Sequence, residues 1–224
     1  MLYPRKTALI LNSGESLVSD DQLVGWDEHM LKYRIVFLEG AIGIGGVGRE
    51  MELPNYLLAM DSISHEPIKL IITSYGGDLN VVFLMYDTMK MIQSPVLTYG
   101  RICCSGAAIF LAAGKERYLA PHAKVMLHLP SGTMGGDVRD WEIQHKEMQK
   151  YKDKVVDVLM QCGATKDRET ILSDIDRDFW LEPEEAIEYG LADAMMTTDD
   201  WHSWTSYQAV MRKEVNSDNI FRGS

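Results

Sequence analysis

Ten residues, "SGAAIFLAAG" (Ser105–Gly114), constrain this chain most. Their helical run is apolar all round, which marks a buried helix rather than a surface one. What can cover it is legible on either side, where strand-like and helix-like segments alternate from about residue 30 onward. "RIVFLEG", "IKLIITS", "SPVLTYG" and "KVMLHLP" are β-branched runs closed by turn residues. Between the second and third, "GDLNVVFLMYDTMKMI" places Val82, Met85, Tyr86, Met89 and Ile92 on one face at helical spacing, with Asp78 as N-cap. This order predicts an α/β domain with largely parallel strands.

Two further helices are expected. From Asp137 to Cys162 an amphipathic pattern carries Val138, Trp141, His145, Met148, Val155 and Leu159 as its stripe, and Gly163 is its stop. A short helix lies in "EPEEAIEYG", with Pro183 near its first position and Gly190 past its end. Residues 1–29 are polar and acidic and carry no clear assignment. Beyond Thr197 the segment "DDWHSWTSYQAVMRKEV" sets Trp201, Trp204, Tyr207 and Val210 in a polar background, suited to docking on the domain or on a neighbouring subunit.

At 224 residues and 46% apolar, one domain with a sizeable core is expected over residues 30–196, followed by an extension over 197–224. No apolar run approaches the roughly 18 residues that span a bilayer. The N-terminal apolar stretch, about five residues with no small-residue cleavage site, is too weak for a signal peptide, so a cytoplasmic chain is expected. A net charge of −11 argues against a nucleic-acid partner. Three cysteines cannot close a disulfide set, and none has zinc-like spacing, so neither metal nor cofactor is expected. "GIGGVG" (Gly43–Gly48) fits a dinucleotide pattern, but Pro54 interrupts before any apolar helix begins, and it reads as a flexible loop. No Walker A sequence is present.

Ser105 sits where a strand-like run becomes the buried helix, whose free N–H groups suit a developing oxyanion. A hydroxyl there becomes a nucleophile only beside a base; otherwise it is an N-cap. Among six histidines, His29, His65, His122 and His202 lie in polar contexts, and His145 falls on the long helix's stripe. His128 ends a strand, where parallel α/β sheets hold their chemistry, although a structural role fits equally. "SYGGD" offers Gly76 and Gly77 as a close backbone approach to a ligand or as a tight turn.

Together "MLKYRIVFLEG", "SYGGDLNVVFLMYDTM", "CCSGAAIFLAAGKERYLAPHAKVMLHLP" and "DIDRDFWLEPEEAIEYGLAD" resemble the Clp protease proteolytic subunit family, over about residues 30–195. The resemblance implies the family's α/β spiral of β-β-α units with a long projecting helix, here Asp137 to Cys162. It implies Ser105 as nucleophile, His128 as general base and, in "SDIDRDFW", Asp174 as the orienting acid; chemistry alone leaves Asp174, Asp176 and Asp178 open. The N–H groups of Gly77 and Gly106 match the oxyanion hole. Cys103 and Cys104 occupy positions of small residues and read as packing groups rather than as a thiolate nucleophile.

The resemblance also implies seven-membered rings stacked in pairs, with the active sites in a chamber for unfolded polypeptides or short peptides. "LPSGTMGGDV" is similar to the strand that pairs between rings. An unfoldase ATPase docks on a surface pocket in the family; Lys69 and Ile71 stand where aromatics are usual, which points away from the usual ATPase or toward an altered one. Other departures are Tyr75 for a proline, one extra residue at Gly100–Arg101, read as an exposed turn, and Ser173 for a basic residue. Two readings compete with the peptidase: a ring subunit without catalysis, and a crotonase-type acyl-CoA enzyme of the same fold.

Overall fold

The computed structural model describes residues 30, 33–43 and 53–205. The N-terminal segment with His29, residues 44–48 of the glycine motif, and Tyr207 and Val210 lie outside the described residues. β1 (Ile35–Ile42), β2 (Ile68–Gly77), β3 (Val96–Cys104) and β4 (Glu116–Leu127) lie side by side in chain order and run parallel. β5 (Phe179–Leu181) pairs antiparallel with β4, and β6 (Ala194–Met195) pairs parallel with its first half. The alternation of strand and helix thus yields the parallel α/β sheet expected, each strand advancing by one neighbour as in a spiral.

The helices α1 (Leu53–Ile63), α2 (Leu79–Met91) and α3 (Gly106–Ala113) connect the parallel strands. All eight residues of α3 are buried, as an all-apolar helix requires. In α2, Val82, Met85, Tyr86 and Met89 are buried, and Asp78 caps the helix by accepting from Asn80 N–H at 2.7 Å. α5 (Arg168–Asp174), α6 (Pro183–Glu188) and α7 (Thr198–Thr205) complete the described helices, with Pro183 at the start of α6 and Gly190 in the left-handed region after it.

The long helix α4 (Val138–Gln161) begins on a capping box formed by Asp137 and Asp140 and stops at Gly163, which has φ +105°. Its expected stripe is buried only at its C-terminal end. Val155, Val156, Val158 and Leu159 enter the core, whereas Val138 and Trp141 are 65% and 50% exposed and His145 is solvent-facing. The reason is that nothing among the described residues covers the first half of α4. Arg117 ties the far end of α4 to the rest, donating to the carbonyls of Cys162 at 2.9 Å and Gly190 at 2.6 Å while pairing with Asp193. No helix among the described residues is long and apolar enough to cross a membrane.

Candidate active site

The chain turns sharply between β3 and α3, and Ser105 is the turn. Its φ of 56° and ψ of −126° lie where residues with a Cβ are strained, and among the described non-glycine residues only Arg34 also has a positive φ. The Ser105 N–H donates to Met126 O of β4 at 2.7 Å, and its carbonyl accepts from Ala108 N–H at 3.0 Å. These two bonds impose the conformation from outside. Ser105 occupies the N-cap position of α3, yet its side chain makes no capping bond. Its Oγ lies 2.7 Å from His128 Nε2 instead.

His128 stands just beyond the end of β4, as its place after a β-branched run suggested. The next residue fixes it: Leu129 N–H donates to Ile175 O at 2.9 Å, which brings the end of α5 alongside. Of the three aspartates in that segment, Asp174 is half-buried, while Asp176 and Asp178 are exposed and Asp176 faces Arg177. The Asp174 carboxylate is turned toward Tyr189, whose hydroxyl donates to Oδ2 at 3.1 Å, and no hydrogen bond joins it to His128. The physical reason is the buried phenol. Tyr189 is 3% exposed, its ring packs 5.6 Å from that of Phe179, and its O–H needs an acceptor that only Asp174 provides there. Burial first, then the neighbouring carboxylate, pushes the Tyr189 pKa well above the ordinary phenol value. The sequence gives no signal for this partner, since "EYGLAD" reads only as a helix end.

The glycine pair is not a turn but the end of β2, with Ala41 opposite Gly76 and Ile42 opposite Gly77 across a bulge at Gly40–Ala41. Each glycine is required by its neighbours. A Cβ on Gly76 would lie 2.7 Å from both Ser105 Cβ and the Cys104 carbonyl oxygen and 3.0 Å from Gly106 N. A Cβ on Gly77 would fall 2.0 Å from the Ile42 carbonyl, and one on Gly106 2.3 Å from Val82 Cγ2. Gly76 therefore passes as close to Ser105 as backbone can, while Gly77 is packed on the Ile42 backbone and Gly106 on Val82, and all three line one cleft with Ser105.

These groups face a cleft of about 710 Å³. Ile109, Met148 and Val155 give it an apolar floor beside Ser105, Tyr75 stands exposed at its mouth, and Tyr151 forms part of the α4 wall. Tyr151 is held by a hydrogen bond to Asn80 Oδ1 at 2.5 Å and by stacking on Phe83, which clamps α4 to α2. The contribution of α4 to this cleft is a feature that periodicity alone does not place.

The remaining candidates fall elsewhere. Cys103 and Cys104 are fully buried, and desolvation pushes both thiols upward, which disfavours a thiolate. His65 pairs with Asp61 at 3.1 Å on the surface, and His122 and His202 are exposed. Arg101 is no turn residue: it is the extra residue of a β3 bulge and stacks over the Tyr99 ring at 5.9 Å. Ser173 is exposed on α5, Ile71 is fully buried, and Lys69 donates from Nζ to the carbonyl of Trp204.

Comparison with known proteins is consistent with this geometry. The Clp protease family model matches residues 20–199. The ATP-dependent Clp protease proteolytic subunit 1 of Rhodopirellula baltica is 40% identical over 173 residues, covering 75% of this chain and 74% of the relative. Subunit 2 of Pseudomonas aeruginosa is 33% identical over 178 residues, 77% of this chain and 85% of the relative. The chloroplastic subunit 4 of Arabidopsis thaliana is 36% identical over 195 residues, 85% of this chain and 65% of the relative.

Proposed function

Because the chain belongs to the Clp protease family, we propose that it is a serine endopeptidase acting on unfolded polypeptides or short peptides, with Ser105 as nucleophile and His128 as general base. The observation that carries this reading is the 2.7 Å contact between Ser105 Oγ and His128 Nε2, made by a serine whose backbone is strained and whose hydroxyl is not spent on capping. A merely capping serine would need neither.

The steps follow from where the atoms lie. His128 Nε2 takes the Ser105 proton as Oγ attacks the scissile carbonyl carbon. The carbonyl oxygen becomes an oxyanion, which the N–H groups of Gly77 and Gly106 at the cleft would receive and the start of α3 would favour by its dipole. The tetrahedral species collapses as the imidazolium passes its proton to the leaving amine, and an acyl-enzyme remains. Water, deprotonated by His128, then releases the acid and restores Ser105. Asp174 supports the imidazolium once its carboxylate turns from Tyr189 to Nδ1. The apolar floor formed by Ile109, Met148 and Val155 favours a large apolar side chain before the cleaved bond.

Assembly belongs to the same reading. The relatives are named as subunits and as ATP-dependent, and this chain has no Walker A sequence, so a ring fed by a separate ATPase is proposed, with two seven-membered rings meeting through the projecting half of α4. The three free cysteines suit a reducing compartment such as the cytoplasm.

The test is intact-mass labelling with a fluorophosphonate, beside hydrolysis of a fluorogenic peptide with leucine before the cleaved bond. One adduct per chain is expected, absent from Ser105→Ala, whose hydrolysis should fall on the order of 10⁴-fold or more. An unlabelled wild-type oligomer would overturn the assignment in favour of a non-catalytic ring subunit.

A further inference from the structure

The glycine pair beside Ser105 is entered through an irregularity that none of the catalytic steps uses. β1 and β2 stay in register from Ile35 and Lys69 to Gly40 and Ser74, and the next pair is Ala41 with Gly76. Tyr75 is therefore the extra residue of a bulge, unmatched by any residue of β1. Bulges are uncommon between parallel strands, and beside active sites they re-aim a side chain. Here Ser74 and Gly76 are buried, while Tyr75 is 68% exposed at the mouth of the cleft. Gly76 supplies the φ of +89° with which the chain returns to the ladder.

Single exposed aromatics are ordinary on a protein surface. Three observations distinguish this one. Its neighbour Gly76 carries β2 against the nucleophile, where a Cβ would lie 2.7 Å from Ser105 Cβ. Tyr75 itself lines the cleft that Ser105 and His128 share. Its side chain also has no hydrogen-bond or ring partner among the described residues, whereas Tyr151 on the α4 wall is held by Asn80 and Phe83.

Its place along the cleft decides which part of a substrate it meets. Asp78, Leu79 and Asn80 follow the glycine pair and line the cleft together with α4. Tyr151 donates to Asn80, and Met148 and Val155 lie three and four residues from Tyr151, on the same face of α4. The apolar floor therefore belongs to the side of Ser105 that follows Gly77, and Tyr75 to the side that precedes Gly76. The acyl and amine portions of an extended peptide run in opposite directions from the cleaved bond. With the acyl residue's side chain on the floor, the departing amine segment passes Tyr75.

We propose that Tyr75 is a specificity-determining residue for the leaving segment, its ring a platform for an aromatic side chain on the residue just after the cleaved bond. Offset or edge-on ring pairs carry a preference of roughly twofold to tenfold. A tyrosine, with two side-chain torsions, loses little freedom in making one. The proposal rests on the serine peptidase reading and deepens it.

The test is partition of the acyl-enzyme between amines. A peptidyl-leucine p-nitrophenyl ester acylates Ser105: the bond from Oγ to the acyl carbon forms, the ester C–O bond breaks and nitrophenolate leaves. Phenylalaninamide and alaninamide are then offered together at equal concentration. The amine nitrogen attacks the acyl carbon and gives its proton to His128 Nε2, which passes it to Oγ as Ser105 leaves. The amine thus takes the place of a leaving segment, and mass spectrometry reads the ratio of the two peptide products. Ser105→Ala sets the uncatalysed background. Wild type should favour phenylalaninamide about fivefold, Tyr75→Phe should keep that preference, and Tyr75→Ala should bring it to within about twofold of equality. The ratio is internal to each variant and does not depend on how fast the acyl-enzyme forms. Equal use of the two amines by wild type would overturn the platform, and so would an unchanged preference in Tyr75→Ala. Absence of nitrophenolate release above background would instead overturn the Ser105 assignment and this inference with it, so the two failures are distinguishable.

Discussion

At the scale of single residues, the site depends on side chains that are absent as much as on those present. Gly76 passes so close to Ser105 that a methyl group must displace backbone rather than a flexible side chain, and its φ of +89° disfavours any Cβ. Gly76→Ala is therefore expected to reduce peptide hydrolysis at least a hundredfold while leaving circular dichroism unchanged, a loss that steady-state kinetics would read directly. Tyr189 gives a pH-dependent counterpart. Its folded pKa is raised, so its contribution to stability is complete below the unfolded phenol value and is lost as pH climbs past about 10. Tyr189→Phe should cost about 1 kcal/mol at pH 7 for the missing hydrogen bond to Asp174. Urea midpoints measured from pH 7 to 11 should show that deficit shrinking toward the alkaline end; a constant gap would contradict it.

At the scale of elements, local chemistry and tertiary reach part company. The cap at Asp78, the buried run of α3 and the proline and glycine that bracket α6 depend on neighbours in sequence, and all were legible there. The stripe of α4 was not, because periodicity reports which residues share a face and not whether anything lies opposite. Val138 and Trp141 continue the stripe into solvent at 65% and 50% exposure, and Ile143, on the other side of the helix, is 61% exposed. Their expected burial is against another copy of the chain. Trp141→Asp combined with Ile143→Asp should leave the melting temperature of the subunit fold within a few degrees, because neither side chain packs within it. Native mass spectrometry should find the assembly reduced from a double to a single ring. An intact double ring would mean that this half of α4 is not the contact.

Across the whole molecule, the candidate site is assembled from distant parts of the chain, and this decides what a sequence can disclose. Ser105 and His128 were recognisable as residue types at strand ends, and the four matching blocks ordered them. That the Asp174 carboxylate faces a buried phenol, and that α4 contributes a wall to the cleft, are consequences of packing that no spacing encodes. The same holds for the left-handed backbone of Ser105, enforced by β4 and α3 together. It implies that the proposed nucleophilic role and stability pull this position in opposite directions. Of two inactive variants, Ser105→Gly relieves the strain and Ser105→Ala retains it. Allowing for the greater unfolded-state freedom of glycine, the glycine chain should be the more stable by roughly 1 kcal/mol, a melting difference of about 2–4 °C. Were folding alone to decide, a glycine would serve better here; the strained serine is what the proposed nucleophile requires.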